Sequence, residues 1–278
     1  MIRTLGIDLA SQPKDTAACV IEWGGPVPRT LPALEFLGGD RLDDACLLDL
    51  IQHEGIGRIA IDAPFGWPAE FVDAITIWQN QQEWPVPPGD PARQQARLVL
   101  RETDREVHRA TGLPMDPDAI RTGKWPLSVS TDKLGITAMR CMRLLAEVQR
   151  REDRQIDRSG NDRIIEVYPD ATLREWGCWP AAWDVYPRRG YKGTTPIHRE
   201  RRRELMTALV EKAPWLGGDS QLQERCVASD DELDALVSAL MARVADQGNV
   251  QGVGDSARAR LEGWICLPQP GSLSTTAD

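Results

Sequence analysis

The chain has 278 residues, of which 41% are hydrophobic and 27% are charged, as expected for a globular protein with one large domain or two ordinary ones. Its formal net charge of −9 argues against a general nucleic-acid-binding protein, because such proteins are usually basic overall. Six scattered cysteines without a C-x-x-C pair argue against a zinc site, and the lack of a membrane-length apolar run or signal peptide predicts a cytoplasmic protein.

The N-terminal part of the chain predicts short strands and one helix. Apolar residues predict a first strand over 2–8 and a second near 16–23, and A-L-E-F-L at 33–37 suggests a short third strand. Leucine and isoleucine at helical spacing predict an amphipathic helix over 42–54. The segment R-I-A-I-D then predicts a fourth strand that ends at Asp62. This order is typical of an α/β fold.

The middle of the chain departs from regular α/β alternation. Eight prolines and glycines in 64–91 predict loops, and helices are predicted near 92–111 and 132–152. A strand returns with D-R-I-I-E-V-Y-P at 162–169. We therefore expect an insertion of helices and loops over 64–160, after the fourth strand.

The C-terminal part predicts two helices and a short strand. The first helix, near 196–213, is basic, and the second runs from Asp230 to about Ala245 before G-W-I-C-L-P gives a last strand. The tail over 269–278 lacks an apolar anchor and is expected to be disordered. We expect one domain over the preceding residues.

Carboxylates stand at the ends of two predicted strands. Asp8 closes T-L-G-I-D and Asp62 closes I-A-I-D. Each has an ordinary explanation, because aspartate often ends a strand and starts a turn. Strand ends can nevertheless converge in an α/β fold, and converging acids repel each other unless a cation neutralises them. The pair therefore suggests a site for a hard divalent cation with oxygen ligands.

The helix that begins near Asp230 carries a further acidic pair. Ser229 and Glu232 form a capping box, which explains the acids of the first turn. Asp234 lies past that turn among apolar residues, so it needs a partner. Asp231 and Asp234 are three residues apart and share a helix face. We therefore predict that both belong to the same site as the strand-end acids.

Two further groups are candidates for the site. Glu166 lies between apolar neighbours on the strand at 162–169, where it is either a metal ligand or the partner of a buried arginine. Arg101 and Arg105 belong to an i+4 series of arginines, and Lys192 belongs to a second basic stretch. These cations predict contacts to substrate phosphates, although a solvated helix face explains the arginines equally well.

The chemistry predicted from the acids is two-metal catalysis. Two Mg²⁺ or Mn²⁺ ions would activate a water and stabilise the leaving oxygen of a phosphodiester. Carboxylates suit these hard ions because they offer oxygen ligands. Asp8, Asp62, Asp231 and Asp234 are the predicted catalytic residues; Asp8, Asp62, Asp234 and Glu166 are the predicted ligands.

Six motifs, taken in their order along the chain, also indicate a family. They are G-I-D-L-A-S, I-A-I-D-A-P, R-E-T-D-R-E-V, I-I-E-V-Y-P, D-E-L-D-A-L-V-S-A-L and E-G-W-I-C-L-P. With these motifs the chain resembles the domain-of-unknown-function family numbered 429, whose members are predicted RNase H-like nucleases, and the resemblance reaches from the first strand to Pro268.

The resemblance implies an RNase H-like α/β fold, with a mixed five-stranded sheet flanked by helices. It implies a metal site in which Asp8 and Asp62 are strand ligands and Asp231 or Asp234 is the last-helix ligand. The D-x-x-D-A-L helix is also similar to the terminal helix of Holliday-junction resolvases. The substrate would be a nucleic acid, with DNA and RNA both open.

Two other functions stay open at this point. An actin-like or sugar-kinase-like phosphotransferase also begins with a strand that ends G-I-D, but it needs glycine-rich phosphate loops that G-I-D-L-A-S-Q-P lacks. A non-catalytic RNase H-like scaffold or binding protein fits the acidic charge and the long insertion. The sequence does not determine the oligomeric state.

Overall fold

The computed structural model describes residues 2–32, 42–81, 97–111, 128–130, 134–180, 183 and 190–277. The N-terminal elements are β1 (Ile2–Asp8), β2 (Ala17–Trp23), β3 (Arg29–Pro32), α1 (Asp44–Ile51) and β4 (Arg58–Asp62). They are followed by α2 (Ala69–Gln81), α3 (Glu102–Ala110), α4 (Leu134–Glu152) and β5 (Ile164–Glu166). The C-terminal helices are α5 (Pro169–Glu175), α6 (Pro196–Lys212), α7 (Ser220–Ala228), α8 (Asp230–Asp246) and α9 (Ser256–Glu262).

The strands form one mixed sheet in the order β3-β2-β1-β4-β5. β2 pairs antiparallel with β1 and β3, whereas β1 pairs in parallel with β4. In the parallel pair, Asp8 is opposite Asp62, so both carboxylates leave the same edge of the sheet. The predicted α/β class and mixed five-stranded sheet flanked by helices are confirmed.

The residues fall into two compact units. The first consists of Met1–Asp62, Val167–Gln251 and Cys266–Asp278. The second consists of Ala63–Glu166 and Gly252–Ile265. It includes the predicted insertion over 64–160 and adds a second stretch of chain that carries α9.

The core of the first unit is the packing of α8 against β1, β2 and β4. From Leu233 to Ala245 every residue of α8 is buried, as expected of a helix surrounded by protein. The hydroxyl of Thr4 donates a 3.0 Å hydrogen bond to the Ala239 carbonyl, and the Trp23 indole donates to the Thr4 hydroxyl at 3.0 Å. These bonds tie β1 and β2 to the helix that carries Asp234.

Gly6 allows α8 to lie directly on β1. A Cβ atom at this position would be 2.1 Å from both the Ala235 carbonyl oxygen and the Ala239 nitrogen. Both are backbone atoms of a buried helix, so neither can move without displacing the helix. Glycine is therefore required at the strand position two residues before Asp8.

Replacing Gly6 with alanine should destabilise the protein. We expect Gly6→Ala to lower the free energy of unfolding by about 3 kcal/mol, because the methyl group forces α8 away from the sheet. Gly218→Ala is the control, since a Cβ there meets nothing within 4 Å. Urea unfolding of both variants gives the comparison, and equal midpoints would show that β1 and α8 are not in close contact.

Several helices and strands begin or end at other residues in the structure than the sequence predicts. The helix predicted over 42–54 is shorter, and Asp43 caps it by accepting a hydrogen bond from the Cys46 nitrogen. The suggested strand at 33–37 lies outside the described residues, while β3 ends at Pro32. The last predicted strand contributes only isolated bridges, Glu166 to Ile265 and Val250 to Pro268.

The C-terminal segment is folded, contrary to the expectation of a disordered tail. Ser272–Thr275 forms a 3-10 helix, and Leu273 is buried. The Ser272 hydroxyl accepts a hydrogen bond from the Trp176 indole, and the Thr276 carbonyl accepts one from Arg243. Leu273 and these side-chain contacts anchor the segment. No helix in the described residues is long and apolar enough to cross a membrane.

Candidate metal centre

Three aspartates from three elements meet at one edge of the sheet. Asp8 ends β1, Asp62 ends β4, and Asp234 lies in the second turn of α8. Each offers one carboxylate oxygen, and these oxygens all lie within 4.8 Å of one another. The predicted convergence of Asp8, Asp62 and Asp234 is therefore present in the structure.

Asp234 is the most buried member of this group, with 1% of its surface exposed. The Tyr191 hydroxyl donates a 2.6 Å hydrogen bond to its Oδ1 atom, and the Lys192 ammonium lies 2.5 Å from its Oδ2 atom. Burial raises the pKa of Asp234, while Lys192 and Tyr191 oppose that rise. Tyr191 thus provides a hydrogen bond and Lys192 an opposite charge to a carboxylate that would be costly to bury alone.

Lys192 brings a positive charge to the centre. Its Nζ atom contacts Asp234 and lies 3.8 Å from Asp62 Oδ2. Loss of hydration lowers the pKa of Lys192, but the charges of Asp234 and Asp62 outweigh that effect and raise it well above its ordinary value. Lys192 was predicted to hold a substrate phosphate; the structure places it against the acids.

The surroundings of Asp8 disfavour its negative charge. Burial raises its pKa well above the usual value, and the charges of Asp234 and Asp62 raise it further, against the opposing effect of Lys192. Among the described residues, no group donates a hydrogen bond to its carboxylate. Among the described residues, the three aspartates therefore carry more negative charge than Lys192 balances.

Asp231 lies beside the three-aspartate group rather than within it. It is half-buried at the start of α8 and does not join the three oxygens that lie within 4.8 Å of one another. Burial raises its pKa, and the charges of Asp230 and Asp234 add to the rise. Its charge in turn raises the pKa of Asp8, so Asp231 contributes to the field of the centre.

The donor set fits a hard divalent cation. Three carboxylate oxygens from rigid elements match the ligand preference of Mg²⁺ and Mn²⁺, and the described residues bring no histidine or cysteine into this group. A divalent cation would also relieve the repulsion that raises the pKa of Asp8. Asp8, Asp62 and Asp234 are the residues that could hold such an ion.

Glu166, predicted to be either a metal ligand or the partner of a buried arginine, lies outside the group of three aspartates and is paired with Arg101. Its Oε1 and Oε2 atoms accept hydrogen bonds of 2.7 Å and 2.9 Å from the Arg101 guanidinium. The Phe65 nitrogen donates a further 2.9 Å bond to Oε2. Burial raises the pKa of Glu166, and Arg101 opposes that rise. The buried-arginine explanation therefore holds, and both carboxylate oxygens are occupied.

Arg101 and Arg105, predicted to contact substrate phosphates, are both paired with acidic side chains of the protein. Arg101 is 2% exposed and forms ion pairs with Glu166 and Asp104. Arg105 pairs with Glu102 at 2.5 Å and donates to the Leu100 carbonyl. The continuous helix predicted over 92–111 is interrupted, because Arg101 is the N-cap of α3. The i+4 series is therefore not a single cationic stripe within the described residues.

Tyr191 and Arg202 are parts of the centre that the sequence analysis missed. Arg202 is buried, and its Nη1 atom donates hydrogen bonds of 2.8 Å to the carbonyls of Tyr191 and Gly193. It also donates to the carbonyls of Val227 and Ala228, just before α8. In the sequence, the one feature that could have pointed to Tyr191 is the segment G-Y-K-G, in which glycines flank a tyrosine and a lysine.

Comparison with known proteins gave one match. The sequence model of a family described as "Protein of unknown function (DUF429)" matches residues 6–259, which contain all three converging aspartates as well as Tyr191 and Lys192. No curated protein and no solved structure matched the chain.

Proposed function

We propose that this chain, which belongs to the DUF429 family, is a Mg²⁺- or Mn²⁺-dependent nuclease that hydrolyses phosphodiesters of DNA or RNA. The single observation that carries the proposal is the meeting of Asp8, Asp62 and Asp234, whose oxygens lie within 4.8 Å of one another. Structural ion pairs alone would not leave Asp8 among like charges without a hydrogen-bond donor in the described residues.

The proposed roles follow from how each side chain is held. Asp8 and Asp62 are fixed by the paired ends of β1 and β4, and Asp234 is fixed by the Tyr191 hydroxyl. These three residues would hold the cation, which supplies Lewis-acid activation of water and neutralises charge on the phosphate when it is bound. Arg202 holds the segment that carries Tyr191 and so keeps Asp234 oriented.

Two further features support the proposal. The resemblance to RNase H-like nucleases implies ligands at the ends of strands one and four, and these are the strands that end in Asp8 and Asp62. All six cysteines are free thiols, which supports the cytoplasmic location that we include in the proposal.

One observation favours a second candidate function. The Lys192 ammonium lies close enough to Asp234 and Asp62 to neutralise part of their charge. A protein that kept the fold but lost turnover could use such an ion pair in place of a metal. The second candidate is therefore a non-catalytic RNase H-like protein that binds nucleic acid or another partner without a cation.

A cleavage assay separates the two candidates. Labelled single- and double-stranded DNA and RNA oligonucleotides are incubated with the protein in Mn²⁺, in Mg²⁺ and in EDTA. The nuclease proposal predicts cleavage of at least one substrate in Mn²⁺ and none in EDTA, because the acids cannot act without the cation. Binding that persists in EDTA, with no cleavage of any substrate, would instead identify the non-catalytic protein.

A further inference from the structure

The backbone of Lys192 is held in place by neighbouring residues, whereas its side chain is free to move away from the aspartates. We propose that Lys192 is a built-in counter-cation: it neutralises the aspartates until a divalent ion binds, and its displaced ammonium then contacts the substrate phosphate. This inference rests on the proposed function and adds to it a residue that acts in two positions. It is carried by the contacts of the Tyr191–Gly193 segment with Arg202, Asp234 and Asp62.

The backbone on both sides of Lys192 is held by one buried guanidinium. Arg202 Nη1 donates 2.8 Å hydrogen bonds to the carbonyl before Lys192 and to the carbonyl after it. Gly193 has a φ of +131°, and a Cβ there would be 2.5 Å from the His198 ring. The Cα atom of Lys192 is therefore a fixed pivot close to the acids, and movement is confined to the side chain.

The side chain itself is half-exposed. Lys192 keeps 49% of its side-chain surface accessible while its ammonium contacts Asp234, which is 1% exposed. Arg101 shows the opposite arrangement, because its side chain is 3% exposed and its guanidinium is paired with Glu166 and Asp104. The Arg101 ion pairs cannot separate without disrupting the packing around them. The Lys192 ammonium can move into solvent while the surrounding core stays packed.

A divalent ion and the Lys192 ammonium would both bind the carboxylate of Asp234. Lys192 Nζ lies 2.5 Å from Asp234 Oδ2, and a Mg²⁺ ligand bond is about 2.1 Å long. An ion bound to this carboxylate would lie within a few ångströms of the ammonium, and the two positive charges would repel each other. A divalent ion is the better match for three carboxylates, so we expect the ammonium to leave Asp234, and its half-exposed side chain would then contact a phosphate bound at the aspartates.

Calorimetric titration with Mn²⁺ tests the competition without any turnover. Removing the competing charge in Lys192→Met should tighten Mn²⁺ binding by about tenfold or more. Lys192→Gln, which keeps a polar side chain, should behave in the same way, and thermal unfolding confirms that both variants fold. Lys212→Met removes one positive charge at the end of α6 and should leave the affinity unchanged.

The second half of the inference is tested by nucleic-acid binding. Ca²⁺ takes the place of Mn²⁺, and fluorescence anisotropy measures the affinity for a labelled oligonucleotide at metal saturation. Lys192→Met should weaken this binding by about fivefold or more, Lys192→Arg should restore most of it, and Lys212→Met should not change it.

The outcomes separate this inference from the proposed function. Equal or weaker Mn²⁺ binding by both Lys192→Met and Lys192→Gln, with a measurable affinity in the unmodified protein, overturns the counter-cation and leaves the metal site intact. Unchanged oligonucleotide affinity in Lys192→Met overturns the phosphate contact. No Mn²⁺ binding by any of these proteins at millimolar concentrations overturns the inference and the proposed metal centre together.

Discussion

The Asp8→Asn variant should lose Mn²⁺-dependent cleavage by about 10³-fold or more and should unfold at a higher temperature in EDTA. Loss of a ligand from a three-carboxylate centre removes several kcal/mol of transition-state stabilisation, and each 1.36 kcal/mol is tenfold in rate. The gain in stability has a separate cause. Asp8 is the acid whose pKa is raised by burial and by the charges of Asp234 and Asp62, so its neutralisation relieves repulsion in the metal-free protein.

The rise in unfolding temperature caused by Asp8→Asn should be larger at neutral pH than at acidic pH. A carboxylate whose pKa is higher in the folded protein than in the unfolded chain binds protons more tightly when folded, so its contribution to stability falls as the pH rises between the two values. The destabilisation by Asp8 is therefore fully present above its raised folded pKa and absent below its unfolded value of about 3.9. Calorimetry in EDTA should show that Asp8→Asn raises the unfolding temperature at pH 7 but not near pH 3.5.

Two variants complete this test. Asp73→Asn removes an exposed carboxylate from α2 and should change neither cleavage nor unfolding. Asp234→Asn should abolish cleavage but lower stability, because the buried group loses its ion pair with Lys192 and is left beside the Tyr191 hydroxyl. Normal cleavage in Asp8→Asn and Asp234→Asn would refute the assignment of these residues to a metal centre.

The Arg101→Met variant should lose about 3–5 kcal/mol of unfolding free energy. Arg101 is the cation that faces both Glu166 and Asp104, which are 2% and 1% exposed. Removing one partner of a buried ion pair leaves uncompensated charge in the core, and that is far more destabilising than replacing the whole pair with apolar residues. Urea unfolding followed by circular dichroism measures the difference.

Arg105→Met is the matched control for this experiment. Arg105 pairs with Glu102 only four residues from Arg101, but the two side chains are 17% and 25% exposed. Water screens such a pair, so the change should be within about 1 kcal/mol. Equal losses in the two variants would mean that Arg101 is not the centre of a buried network.

The strand-end aspartates were predictable because their position depends on local signals. A hydrophobic run that stops at an aspartate marks the end of a strand, and parallel pairing of two such strands brings their ends to one edge. Asp234 was predictable because a capping box explains the first turn of α8 but not a carboxylate among apolar residues. The spacing of residues within single strands and helices is enough to predict these positions.

Expectation and structure differ where long-range partners decide the surroundings of a residue. Glu166 and Asp234 are both buried acids, but the partner of Glu166 is an arginine 65 residues away, which no local pattern reveals. The predicted arginine stripe assumed an unbroken helix, whereas α3 begins only after Arg101. Tyr191 and Lys192 lie 43 and 42 residues before Asp234, outside any element, so their contacts with it depend on the tertiary fold.

Crystallography with Mn²⁺ tests the central claim most directly. Crystals soaked in Mn²⁺ should show an anomalous peak bound by Asp8, Asp62 and Asp234, with the Lys192 ammonium moved away from Asp234 Oδ2. An absence of anomalous density at this position, with Lys192 still bound to Asp234 at millimolar Mn²⁺, would contradict the metal centre and the nuclease function proposed from it.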